Sequence, residues 1–218
     1  MTMKRVDYVF DDGGMNLLSA EALRGIGAAL PPEASLFVFR SGRPSLFAAG
    51  ADMAEMRRFT PWEAYELARL GQETFAAIER LPCVTVALID GDCFGGALDL
   101  ILAFDLRLAT PRSRFAHPGA RLGIVTGFGG TSRWRTVISR RAANQLFLAN
   151  RVLAASEALG LGLVDRVAES HEDELRRLDG LDVRMVKELT LGADELTREQ
   201  VYRRAVHGRL PSAGGTLL

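Results

Sequence analysis

Between Val84 and Ala109 the chain reads VTVALIDGDCFGGALDLILAFDLRLA, and few folds accept such a stretch. Val84 to Ile89 is short, apolar and rich in β-branched residues, which predicts a buried strand. Asp90 to Gly96 is a turn with adjacent glycines at 95 and 96. Ala97 to Phe104 is apolar on every face except at Asp99, and a helix apolar all round must be buried. Asp105 to Ala109 alternates polar and apolar like a second strand. A strand thus passes through a glycine turn into a buried helix with one acid in its first turn. The unpaired N–H groups at such a helix start can hold a developing negative charge, such as an enolate or thioester oxyanion. Gly96 is the natural donor, because no side chain blocks approach to it. Capping and macrodipole chemistry account for an acid in a first turn equally well, and paired glycines are ordinary in turns. The stretch alone leaves both readings open.

A chain of 218 residues suits one domain, or one with a small appendage, and buries a sizeable core. Lys and Arg number 27, as do Asp and Glu, so no field of one sign points to nucleic acid or to an anionic membrane. Cys83 and Cys93 are no disulfide framework, and a reduced, cytoplasmic setting is expected. The start of the chain lacks the apolar region of a signal peptide, and no apolar run is long enough to span a bilayer.

Taken in order, Val6 to Phe10 and Ser35 to Arg40 are predicted strands, with a helix from N-cap Ser19 to Leu30 between them. Gly25 and Gly27 are not a dinucleotide fingerprint, because Leu30 stands where a third glycine is needed. Ser41 to Asp52 is a loop of small residues, with Asp52 as N-cap of a helix starting at Met53. Thr60-Pro61-Trp62-Glu63 is a capping box that opens a helix running to about Leu81. Tyr65, Ala68, Gln72, Phe75 and Ile78 are assigned to its core face. Arg114 to Ser132 is expected to be a long loop, and its Gly127 to Thr131 run lacks the lysine of a phosphate-binding loop. His117 has no Cys or His at ligand spacing, so no metal site is expected. Trp134 to Asn150 is predicted to be one helix, with Arg140 and Arg141 on its wet face. A short helix over Ser156 to Leu159 and a strand over Leu163 to Ala168 follow. His171 to His207 is expected to form polar helices, and Pro211 to Leu218 a frayed tail.

Three segments together resemble the enoyl-CoA hydratase/isomerase, or crotonase, family. LFAAGADM at Leu46 to Met53 is similar to that family's first oxyanion loop. DGDCFGGALDLILAFDLRLAT at Asp90 to Thr110 resembles its second loop, buried helix and following strand. GARLGIVTGFGGTSRW and LAASEALGLGLVDRV, within Gly119 to Val167, look like its later loop, helix and closing strand.

The resemblance implies an α/β, crotonase-like spiral of ββα units over residues 1–168. A short C-terminal helical part and tail would occupy 169–218. It implies an acyl-CoA thioester as substrate, no permanently bound cofactor, and enolate stabilisation by the N–H groups of Ala51 and Gly96. Ala48 and Ala49 would lie near the adenine, and Gly95 and Gly119 would also help bind the CoA thioester. It also implies a homo-oligomer, a trimer or a hexamer. Family hydratases use two glutamates; Asp99 stands at the first position and Gly119 at the second. Hydration needs both oxygen activation and proton delivery to carbon, so a single-acid lyase or isomerase reaction is expected. His117 is the candidate for a second proton function, and restoring Glu at 119 is expected to raise hydration. The alternative is an acyl-CoA-binding or accessory protein that kept the fold and lost full catalysis.

Overall fold

The computed structural model describes residues 4–179 together with residues 181, 183 and 187. Strand β1 (Lys4–Phe10) precedes helix α1 (Ala20–Ala28), whose N-cap Ser19 accepts from the Ala22 N–H. Three ββα turns follow. The first holds β2 (Ala34–Ser41), β3 (Leu46–Ala48), the single helical turn α2 (Met53–Met56) and α3 (Pro61–Glu79). The second holds β4 (Val84–Ile89), β5 (Asp92–Phe94) and α4 (Gly96–Ile101). The third holds β6 (Leu106–Ala109), β7 (Arg114–Ala116) and α5 (Gly119–Leu122). The chain continues through α6 (Gly130–Val137), α7 (Arg140–Ala143) and a π-helical turn at Asn144–Leu148. It ends its described part with β8 (Leu153–Ala154), α8 (Ala155–Gly160), β9 (Arg166–Val167) and α9 (Glu172–Leu178).

The first strand of each turn enters one parallel sheet, ordered β1-β2-β4-β6-β9. The second enters another sheet, ordered β3-β5-β7-β8. This is the crotonase-like spiral that the resemblance implied. In the second sheet β3, β5 and β7 run parallel, with Ala48 opposite Cys93 and Cys93 opposite Phe115. The segments that follow these strands therefore leave side by side, from the carboxyl ends of parallel strands. That is where open α/β architectures place their ligands.

Burial explains the strand composition. In β2, Phe37 and Phe39 face the main core, while Leu36 and Val38 face a second cluster with Val84, Val86 and Leu108. A strand covered on both faces has no polar side to alternate with. Leu175 of α9 closes the second cluster, so the described part of the C-terminal segment packs on the outer face of the large sheet. Lys187 reinforces this, donating to Asp105 at 2.7 Å and to the Cys83 carbonyl at 3.0 Å.

Several expectations need correcting. The segment 41–52 contains β3, and the turn 90–96 contains β5. The long loop 114–132 contains β7 and α5. The helix over 134–150 is broken at Ile138, whose backbone is extended, before Ser139 caps α7. The last strand is only Arg166–Val167. On α3 the capping box is present, but Tyr65 is 56% exposed and Gln72 is exposed. The buried stripe is Leu67, Gly71, Thr74, Phe75 and Ile78. Gly and Thr at its centre disguised it as polar. Apart from residue 181, 183 and 187, the expected helices beyond 179 and the tail lie outside the described residues.

Candidate active site

Three short segments meet at the carboxyl ends of β3, β5 and β7: Ala49 to Ala51, Gly95 with Gly96, and His117 to Gly119. The first two touch through bare backbone. Gly50 has φ +90°, and a Cβ there would lie 2.7 Å from both the Gly96 nitrogen and the Phe94 oxygen. Any other residue at 50 would force these segments apart. The Ala49 N–H donates to the Met15 carbonyl at 3.1 Å and the Gly95 N–H to Ala116 at 2.9 Å. The N–H groups of Ala51 and Gly96 meet no backbone carbonyl among the described residues. Gly96 opens α4, where no intrahelical acceptor exists. The Ala51 nitrogen lies 3.5 Å from the point that a Gly96 Cβ would occupy. Two free donors thus flank one spot on a cavity wall.

That cavity has a volume of about 440 Å³. Ala49, Ala51, Gly95, Gly96, His117 and Gly119 all line it. Met53, Met56, Tyr65, Leu67 and Leu122 contribute apolar side chains to it. Among the described residues that line it, none is Asp, Glu, Lys or Arg. Ala48, by contrast, is fully buried in β3 and is not among the residues that line this cavity.

Asp99 sits behind the wall. It is 0% exposed, and its Oδ2 accepts from the Thr126 hydroxyl, while Oδ1 has no hydrogen-bond partner of good geometry among the described residues. Thr126 does line the cavity, so it is the link between this acid and the open space. Burial pushes the Asp99 carboxyl up to about 7. The Arg133 guanidinium, held on Glu79 at 2.9 Å, pulls the other way, as do the N–H groups of Gly130 and Phe128. An acid poised near neutrality can both take and give a proton.

His117 is 6% exposed, its ring lies 4.9 Å from that of Phe147 at a tilt of 52°, and burial lowers its pKa. A neutral imidazole at pH 7 follows, a base rather than an acid. The vacant glutamate position behaves differently from expectation. A Cβ on Gly119 would lie 2.6 Å from the Ile124 carbonyl oxygen and 2.9 Å from His117 Cε1. The carbonyl is backbone and cannot swing away. Gly119→Glu should therefore lower the melting temperature and fail to raise hydration of a short 2-enoyl-CoA; a thermal scan with a hydration assay checks both.

Thr126, Phe128 and Tyr65 are the residues that sequence reasoning missed. The Phe128 ring wedges between Gly71 and Gly96, where no side chain leaves room for anything but that ring, and it packs edge-on to Phe75 at 5.8 Å. The one signal was Gly71, a glycine inside a predicted helix that no turn explains.

Comparison with known proteins decides the family. The model of the enoyl-CoA hydratase/isomerase family matches residues 21–188. The chain belongs to the enoyl-CoA hydratase/isomerase family. This member is 32% identical over 180 residues to a crotonyl-CoA hydratase of Syntrophomonas wolfei, covering 79% of this chain and 69% of that one. It is 36% identical over 126 residues to a short-chain-enoyl-CoA hydratase of Clostridium acetobutylicum, covering 58% and 48%. It thus spans about half the length of that second relative. Among solved structures, DspI of Pseudomonas aeruginosa superposes with a TM-score of 0.83 at 25% identity, covering 94% of this chain and 86% of that one. An enoyl-CoA hydratase of Bacillus anthracis gives 0.85 at 24% identity over 94% and 88%, which shows the shared fold.

Proposed function

We propose that this hydratase/isomerase family member processes acyl-CoA thioesters by holding the thioester oxygen between the N–H groups of Ala51 and Gly96. The observation that carries this reading is the pair of free donors flanking one spot of an uncharged cavity. As a proton leaves the carbon next to the thioester, charge grows on that oxygen, and fixed donors away from water stabilise it most. The proton's route is through Thr126. Its hydroxyl gives a proton to the Asp99 carboxylate as it accepts one from the substrate carbon, and the sequence reverses to deliver the proton elsewhere. This suits a double-bond shift or another single-acid lyase or isomerase reaction. Hydration fits less well, because position 119 offers no room for a second carboxylate.

A second reading is kept by one observation: Asp99 lines neither the cavity nor its neighbour. A thioester-binding protein with little turnover would need only the two N–H groups. Deuterium exchange separates the two. With saturated acyl-CoAs in heavy water, the enzyme reading expects mass gain at the carbon beside the thioester, read by mass spectrometry. Binding without any exchange, across a panel that includes 2- and 3-enoyl-CoAs, would favour the accessory reading.

We also propose a trimer or a pair of trimers. Val152 and Leu159, 54% and 43% exposed, leave apolar surface beyond the core. Light scattering at micromolar concentration should give three or six times the 23.7 kDa chain mass; a monomer overturns this.

A further inference from the structure

A second cavity, of about 710 Å³, lies against the first, and both are lined by His117, Ile124, Val125 and Thr126. Its electrostatics are different. Arg135 and Arg140 line it, and among the described residues no Asp or Glu does. Neither guanidinium makes an ion pair or side-chain hydrogen bond among the described residues, whereas Arg133, in the same helix as Arg135, is clamped on Glu79 through two nitrogens at 2.9 Å. Arg135 instead lies over the Trp134 ring, 5.8 Å from its centroid. A cation over a ring face keeps its edge donors available to a ligand.

The broken helix is what brings the two arginines together. In one continuous helix, residues five apart would point about 140° from each other. The extended Ile138 and the Ser139 cap redirect the chain, so that Arg135 from α6 and Arg140 from α7 line the same space. Trp134, Ala143, Phe147 and Leu148 line the same cavity and offer apolar surface. An occupant that matches this lining has methylene groups near Thr126 and an anion at its far end.

We propose that the second cavity receives the distal end of the acyl group, and that this end is a carboxylate. The substrates would then be CoA thioesters of dicarboxylic acids, the planar carboxylate pairing with guanidinium edges. This rests on the thioester reading of Ala51 and Gly96. The one competing source of the same chemistry is a phosphate of CoA itself.

Calorimetric titration of the full chain distinguishes them, with succinyl-, glutaryl- and adipyl-CoA set against butyryl-, pentanoyl- and hexanoyl-CoA, and free CoA alongside. At least one dicarboxylic thioester should bind about tenfold or more tighter than its monoacid counterpart. Arg135→Gln combined with Arg140→Gln should collapse that ratio towards unity. Equal affinities for the two series in the parent protein would overturn the proposal. So would a double variant that weakens free CoA and both series alike, since the arginines would then hold phosphate. If no thioester binds more tightly than free CoA, the reading of Ala51 and Gly96 falls first, and this proposal with it.

Discussion

Gly96→Val is expected to abolish productive capture of the thioester, with a loss of turnover of about a hundredfold or more, the scale of a removed oxyanion donor. The geometry leaves little freedom. A Cβ at this position stands 3.5 Å from the Ala51 nitrogen, between the two donors. It also stands 2.9 Å from Phe128 Cδ2 and 3.0 Å from Cε2, so the ring must move. Two effects are thus mixed, and a second variant separates them. Gly96→Val with Phe128→Leu relieves the ring and leaves the approach blocked. The double variant should regain melting temperature and stay inactive in the exchange assay. If it processes acyl-CoA like the parent, the oxyanion assignment is wrong and the loss was one of packing.

Much of this site was legible in the sequence, for a physical reason. The donors are backbone groups, and backbone exposure leaves a mark in composition: small residues at 48–51 and glycines at 95 and 96, each just before a helix start. The ββα spiral was legible through the resemblance, because its long strands are continuous apolar runs. The short strands β3, β5 and β7 were not. With three residues each, they carry no periodicity of their own and exist only by pairing with one another. The depth of Asp99 was also hidden. Spacing of three along a helix puts Asp99 and Gly96 on nearly one face. It does not say that Gly130, lacking a side chain, lets the chain close over the carboxyl. The wedge of Phe128 is likewise a long-range event between residues far apart in sequence.

Depth is what makes Asp99→Asn the most informative single substitution. The carboxyl has a value of about 7 in the fold against an ordinary 3.8, raised mainly by burial. The folded protein therefore keeps a proton that the unfolded chain has lost at intermediate pH. Stability from this group is full below about 4, falls as pH rises, and levels off above about 7. Asn does not titrate, so the variant lacks this slope. Its melting temperature relative to the parent should climb between pH 4 and 7, by the equivalent of about 4 kcal/mol if the whole shift is expressed. A constant difference across that range would mean that Asp99 is not buried as described. Turnover gives the independent readout. If Asp99 exchanges protons with substrate through Thr126, the variant should lose about a hundredfold or more, along with the limb near pH 7 in the parent's kcat profile. Thr126→Val should lose a similar factor while the titrating slope in stability persists, because the acid itself remains. Parental turnover in both variants would leave Asp99 as a buried structural partner of Thr126 and favour the accessory reading over the enzyme.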